Sequence, residues 1–257
     1  MIAFLLLVKL LIAFVLADDR NESLPTRRMY YGETAKIEDY PYFAGLWNCG
    51  AVILSNTWVA TAGHCVFDAR ARGSQHVYVG GNTIKNSTTL SYVDVIVHPE
   101  YKEIAGMTFN DIALLKLTAP LRFSERIQPA KLPTSAAPRN VVLVSRGTDE
   151  TGKLSTSLKK VDRIILSPLE CVNMMSHPMY AFYALQNREY LQRKILCSKR
   201  HENLPSVCGG DSGSPLLSGD TLVGIVAFGL KSCEKARLGF DTYVLNFVPW
   251  IRSHTGL

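Results

Sequence analysis

Cys208-Gly209-Gly210-Asp211-Ser212-Gly213-Ser214-Pro215-Leu216 is the stretch that decides how the rest of the chain is read. A serine hydroxyl is a poor nucleophile until a base takes its proton and backbone N–H groups hold the oxyanion, so glycines beside a serine carry chemical meaning. Gly210 and Gly213 let the backbone turn tightly around Ser212 and bare its amides. Such a serine calls for a base and an orienting acid elsewhere. Upstream, Thr61-Ala62-Gly63-His64-Cys65 follows an apolar run, and Asn110-Asp111-Ile112-Ala113-Leu114-Leu115-Lys116-Leu117 opens another.

Each of these runs resembles a motif of the chymotrypsin/trypsin-type (S1) serine proteases. The order His64, Asp111, Ser212 is that of chymotrypsin and differs from the subtilisin and α/β-hydrolase orders. The resemblance covers residues 29–257 and implies an all-β fold of two six-stranded antiparallel β-barrels with a C-terminal helix. It also implies peptide-bond hydrolysis through an acyl-enzyme without a cofactor. Ser212 would be the nucleophile, His64 the general base and then acid, and Asp111 the group that fixes the imidazole tautomer. The N–H groups of Gly210 and Ser212 would form the oxyanion hole.

Bulk properties agree with a secreted globular enzyme. A chain of 257 residues with 47% hydrophobic content can bury a sizeable core. The net charge of +6 is spread without a basic run longer than pairs such as Lys159-Lys160, which gives nucleic-acid binding no support. Short β-rich runs at 51–54, 58–62, 77–80, 93–97, 112–117, 141–144, 161–165 and 222–228 alternate with turn residues, the signature of a barrel or sandwich. Pro120, Pro129, Pro133 and Pro138 cluster around an expected barrel boundary near 120–135. Residues 246–254 resemble the family's closing helix.

Residues 1–17 form an apolar segment interrupted by Lys9 and ending in Ala17, which reads as a cleaved signal peptide. No other run is long enough to span a bilayer, so no membrane attachment is expected after cleavage. Secretion makes disulfides of the cysteines and glycan acceptors of Asn21 and Asn86. Residues 18–28 read as a pro-segment ending at Arg28. In the family such a cut frees an α-amino group that pairs with the aspartate before the nucleophile, here Asp211. The new start, Met29-Tyr30-Tyr31-Gly32, departs from the family's small β-branched residue followed by glycines, although Gly32 and Asp211 are kept.

Six cysteines allow fifteen pairings. The resemblance implies Cys49–Cys65, Cys171–Cys197 and Cys208–Cys233. Residues 172–196 form a longer loop than usual, with part of it helical, whose methionines and tyrosines either pack on the barrel or grip a substrate or partner. His76, His98, His177, His201 and His254 lack ligand spacing, so no metal is assigned, and 77–93 contains no carboxylate for the calcium loop of some relatives.

By the same resemblance Ser206, Ala227, Phe228, Gly229, Gly239 and Asp241 line the substrate pocket. Ser206, Gly229 and Gly239 describe a deep uncharged slot for large apolar or aromatic P1 side chains, whereas a carboxylate at Asp241 leaves Arg or Lys as the alternative. Ala227 stands where a serine usually hydrogen-bonds the catalytic aspartate, Ser214 replaces a glycine, and Arg146 replaces a tryptophan. These departures keep a second function open, a protease homologue of little turnover that binds a partner or regulates a cascade. The expected partners are protein or peptide substrates, an activating protease and protein inhibitors, with the enzyme itself a monomer.

Overall fold

The computed structural model of the chain describes residues 32–66, 75–104, 106–148, 153–175, 186, 188–201, 207–229 and 237–257. The expected signal peptide and pro-segment, with Asn21, Arg28, Met29, Ser206 and Cys233, lie outside the described residues.

Among the described residues nine strands come first: β1 Glu33–Thr34, β2 Phe43–Gly45, β3 Gly50–Ile53, β4 Trp58–Thr61, β5 His76–Val79, β6 Thr88–Val97, β7 Lys102–Ile104, β8 Met107–Phe109 and β9 Ala113–Leu117. After a crossing segment come β10 Asn140–Ser145, β11 Lys159–Leu166, helices α1 Pro168–Met174 and α2 Arg188–Lys194, then β12 Ile195–Arg200, β13 Pro215–Ser218, β14 Thr221–Phe228 and β15 Gly239–Tyr243. A 3₁₀ turn at Val244–Phe247 leads into the closing helix α3, Val248–Thr255.

In the first half β2, β3, β4, β9, β6 and β5 hydrogen-bond in that order into a closed antiparallel barrel. In the second half β11, β10, β13, β14, β15 and β12 do the same, because β11 pairs with β12 as well as with β10; β1 is added outside β11. Two six-stranded barrels followed by a helix are the expected architecture.

Among the strands that the sequence announces, β3, β4 and β9 are buried on both faces, whereas β6 is mostly exposed or half-buried. Every residue of β3 and β4 is buried, and in β9 only Lys116 reaches solvent. A barrel strand that touches its own core on one side and the neighbouring barrel or a loop on the other needs a continuous apolar run. Ser55 closes the β3–β4 hairpin by accepting the N–H groups of Thr57 (3.2 Å) and Trp58 (3.1 Å). By contrast β1, β2, β7, β8, β12, β13 and β15 are short or carry Gly, Pro and charged residues, and their identity as strands comes from the partner beside them.

One apolar cluster runs through both halves. Phe43, Val52, Val59 and Leu114 of the first barrel pack with Leu217, Leu222 and Ile225 of the second and with Phe247 and Ile251 at the C-terminus. Burying a side chain such as fully enclosed Ile251 contributes about 1.5–3 kcal/mol, which holds α3 against the first barrel. His98 lies between Phe247 and Trp250, at ring-centroid distances of 5.3 and 5.0 Å, and burial lowers its pKa.

Arg146, just past β10, is the unusual member of this interface. Its guanidinium lies 5.0 Å from the centre of the Phe43 ring, and Nη1 and Nη2 have no hydrogen-bond partner among the described residues. Burial pushes its pKa down to about 10, with only Tyr78 opposing. Unsatisfied buried donors cost about 1–3 kcal/mol. Arg146→Met keeps the contact with Phe43 and removes the charge, so it raises the stability of the fold by about 1–3 kcal/mol in chemical denaturation; an unchanged or lower stability would mean that the guanidinium is satisfied.

Candidate active site

Strand pairing delivers the first two groups. Thr61 at the end of β4 lies opposite Ala113 at the start of β9, so the chain just beyond one meets the chain just before the other. Asp111 is fully buried there. Its Oδ1 accepts the backbone N–H of His64 at 2.9 Å, and its Oδ2 lies 2.7 Å from His64 Nδ1. The His64 side chain is 27% exposed, leaving the imidazole accessible while its acid is not.

Asp111 is also held from the second barrel. Thr242 on β15 donates its hydroxyl to the Asp111 carbonyl at 2.8 Å. The preceding Asn110 adopts φ 49°, a left-handed conformation that asparagine tolerates better than most residues. Its N–H donates to Tyr190 Oη at 2.5 Å, and its Nδ2 to the Glu100 carbonyl at 3.0 Å. Tyr190 sits on α2, packs against Phe109 at 5.1 Å, and has its pKa pushed up to about 12 by burial. This part of the long 172–196 stretch therefore packs against the strand ending at the acid; 176–185 and 187 lie outside the described residues.

The serine loop is pinned to the same corner. Gly50 on β3 donates its N–H to the Ser212 carbonyl at 2.7 Å, while Thr61 Oγ1 donates to the Gly50 carbonyl at 2.8 Å. Gly213 has φ +76°, and a Cβ there would collide with the Gly50 carbonyl and Thr61 Oγ1, so only glycine lets the loop approach β3 and β4 this closely. Gly210 has φ +85° and would strike Leu154 and Gly147 if it bore a side chain. Farther back, Thr148 holds the Gly209 carbonyl with its N–H (2.7 Å) and its hydroxyl (2.6 Å).

Cys49 and Cys65 form a disulfide that ties β3 to the residue after His64, and Cys171 pairs with Cys197. Both pairings are those the resemblance implies. Cys208 is disulfide-bonded as well, and its expected partner Cys233 lies outside the described residues. Cys49, His64 and Cys65 come close enough to look like a metal cluster, but both sulfurs are spent in the disulfide.

Two departures from the family pattern acquire a place. Ser214 fits because it faces Gly50, where any side chain would strike it, and it donates to Ser145 Oγ at 2.9 Å. Ser145 also accepts the Gly147 N–H at 3.1 Å. Ala227 is buried on β14, and the two oxygens of Asp111 are both engaged by His64.

The residues expected to line the pocket, Ser206 apart, lie on or next to β14 and β15. Phe228 and Phe240 stack with their ring centres 4.9 Å apart, Gly229 is exposed, and Gly239 is buried against Arg163. Asp241 is fully buried rather than solvated. Ser198 Oγ donates to its Oδ2 and itself receives Arg163 Nη2 at 2.5 Å. Burial raises the Asp241 pKa, while Arg163 and Ser198 oppose the rise.

The roles of Arg163, Ser198, Ser145 and Thr242 went unnoticed in the sequence, and Tyr190 was read only as one of the tyrosines of the 172–196 loop that pack on the barrel or grip a ligand. Arg163 alone left a signal, an arginine on the inward face of β11 in step with buried Lys159 and Val161.

Asp211 is buried behind the serine loop, its Oδ2 accepting the Cys208 N–H at 2.8 Å. Oδ1 has no hydrogen bond of good geometry among the described residues, although Ser145 and the Gly147 amide stand near enough to favour the ionised form. Burial dominates and pushes the pKa up to about 6, against 3.8 for an unperturbed aspartate. The native state thus holds this proton more tightly than the unfolded chain. Its contribution to stability is fully present below pH 3.8 and is lost as pH rises towards 6, a change of about 3 kcal/mol. Comparing wild type with Asp211→Asn in denaturant titrations from pH 4 to 7.5 isolates this group; the loss is expected in wild type alone, and equal slopes would contradict it.

Comparisons with known proteins bear on the same residues. A family model described as Trypsin matches residues 30–251. The chain is 28% identical to the serine proteinase stubble of Drosophila melanogaster, an alignment covering 90% of this chain but 31% of that protein. It is 29% identical to the clotting factor G beta subunit of Tachypleus tridentatus over 89% of this chain and 80% of that one. With a trypsin of Phaedon cochleariae it shares 28% identity over 95% of each chain. The match of the family model across nearly the whole described region, on a double barrel of this topology, means that the chain belongs to the Trypsin family and is a serine endopeptidase.

Proposed function

We propose that Ser212, His64 and Asp111 are the catalytic triad of this protease, cleaving protein substrates through an acyl-enzyme. The observation that carries the reading is the double grip of buried Asp111 on His64, through the backbone N–H at 2.9 Å and Nδ1 at 2.7 Å. A proton on Nδ1 leaves Nε2 as the base that takes the serine proton and later returns it to the leaving amine. The N–H groups of Gly210 and Ser212 act as the oxyanion hole. Residues 1–17 serve as signal peptide, 18–28 as pro-segment cut after Arg28, and Asn21 and exposed Asn86 as glycan acceptors on an extracellular monomer.

Large apolar P1 side chains are the preferred substrates. Asp241 cannot act as an open anionic floor when Ser198 and the Arg163 guanidinium already engage it. A charge neutralised internally gives no reason to select a basic side chain, and the stacked rings of Phe228 and Phe240 support an apolar one.

The deciding experiment is reaction of the purified, matured protein with a serine-phosphonylating probe. Wild type is expected to label on Ser212 and Ser212→Ala to be inert, while Asp111→Asn loses about 10³–10⁴-fold in kcat through the wrong imidazole tautomer. A folded wild type that neither labels nor hydrolyses peptides would refute the triad. On a panel of Phe, Tyr, Leu, Arg and Lys peptides, kcat/KM for the apolar residues is expected to exceed that for the basic ones at least about ten-fold, or about 1.4 kcal/mol of transition-state binding. A clear preference for Arg or Lys would reverse the assignment.

A further inference from the structure

The turn that presents the acid is held in place from the second half of the chain. Asn110, immediately before Asp111, is buried and adopts φ 49°. A left-handed backbone is unfavourable for any residue with a Cβ and persists where the surroundings fix it. Here three bonds do so. The Asn110 carbonyl accepts the Ile112 N–H at 2.9 Å, its Nδ2 donates to the Glu100 carbonyl at 3.0 Å, and its N–H donates to Tyr190 Oη at 2.5 Å. Glu100 and Ile112 belong to the first barrel; of the three partners Tyr190 alone comes from beyond the crossing segment.

Tyr190 is itself restrained. Its ring packs on Phe109 with centres 5.1 Å apart. The helix that bears it, α2, runs directly into β12, where Cys197 is bonded to Cys171 of α1. At the end of α2, Asn246 donates to the Arg193 carbonyl, and Lys194 Nζ lies 4.5 Å from the centre of the Phe247 ring. A helix docked at this end carries a phenol oxygen to a buried main-chain N–H one residue from the acid. An N–H buried without an acceptor is costly, so the turn at Asn110 and the seat of α2 are coupled.

We propose that Tyr190 is a positioning residue of the triad: by accepting the Asn110 N–H it fixes the turn from which the Asp111 carboxylate reaches both N–H groups of His64, and α2 thereby sets the rate of the chemical step. Tyr190 acts through Asp111 and is not itself catalytic. Misplacing a catalytic group by about 1 Å can cost as much as 10²-fold in rate, so a small shift of this turn is enough to be felt. The inference rests on the triad proposed above.

The test compares wild type, Tyr190→Phe and Tyr190→Leu as matured proteins. Phenylalanine keeps the ring on Phe109 and removes the acceptor; leucine removes both. Active enzyme is counted by stoichiometric labelling with the phosphonylating probe, so that an unfolded fraction does not enter kcat. Tyr190→Phe is expected to lose about ten-fold in kcat with KM within about two-fold, and Tyr190→Leu at least as much. The proton NMR resonance of His64 Nδ1–H is expected to move upfield in Tyr190→Phe, the signature of a weaker bond to Asp111. Wild-type kcat in Tyr190→Phe, with or without a loss in Tyr190→Leu, overturns the proposal and leaves Tyr190 a packing residue. An unmoved Nδ1–H resonance overturns it equally, and a raised KM at constant kcat would make Tyr190 a substrate contact instead. In all three cases the triad stands, whereas failure of wild type to label withdraws the triad and this inference together.

Discussion

The grip of the Asp111 carboxylate on both N–H groups of His64 is the constraint on which the rest of the structure depends. An ion removed from water costs several kcal/mol unless hydrogen bonds replace its hydration. Meeting that requirement at Asp111 forces the ends of β4 and β9 to a single geometry. A slip of one residue between those strands would turn the acid to the opposite face, so the register that sets Thr61 against Ala113 is as much a part of the site as the side chains are. The second barrel closes the arrangement through Thr242 and, from α2, Tyr190. The acid is where the two halves of the molecule are joined.

The serine loop is joined to that corner by main chain rather than by side chains. Gly50 N–H to Ser212 O, Gly213 N–H to Val226 O and Val226 N–H to Ser214 O thread the loop between β3 and β14. Backbone contacts at this distance demand small residues on both sides, and they explain how Ser214 is tolerated. The extra hydroxyl faces a glycine and finds Ser145. A departure that looks damaging in the sequence becomes a link from the serine loop to the end of β10.

What could be read in advance follows from the same physics. Motifs around His64, Asp111 and Ser212 are legible because chemistry restricts the residues next to them, and β3, β4, β9 and β14 are legible because burial on two faces leaves a largely apolar run, broken in β9 only by exposed Lys116. β13, which starts at Pro215, and β15, which starts at Gly239, have no such pattern; neighbours impose their conformation. The supporting residues were hidden for a related reason. Nothing local distinguishes Thr242 or Ser198 from any other strand hydroxyl, since the partner that gives each its role lies far off in sequence. Arg163 was the exception, a charge on an inward position of β11, and such a position requires a buried counter-charge somewhere in the fold.

The two buried arginines show how environment assigns different work to one residue type. Arg146 lies on the face of Phe43 with Nη1 and Nη2 unpaired among the described residues, and its pKa falls to about 10. Arg163 is buried completely, yet its Nη2 donates to the Ser198 carbonyl and hydroxyl, and that hydroxyl in turn donates to Asp241. A lone buried cation is a cost that packing elsewhere must offset, whereas one hydrogen-bonded through a hydroxyl to a buried carboxylate has its charge balanced within the fold. Through Ser198 on β12 and Asp241 on β15, Arg163 on β11 links three strands of the second barrel. The Asp241 charge is thereby balanced inside the barrel, which is what a preference for apolar rather than basic P1 side chains requires of it.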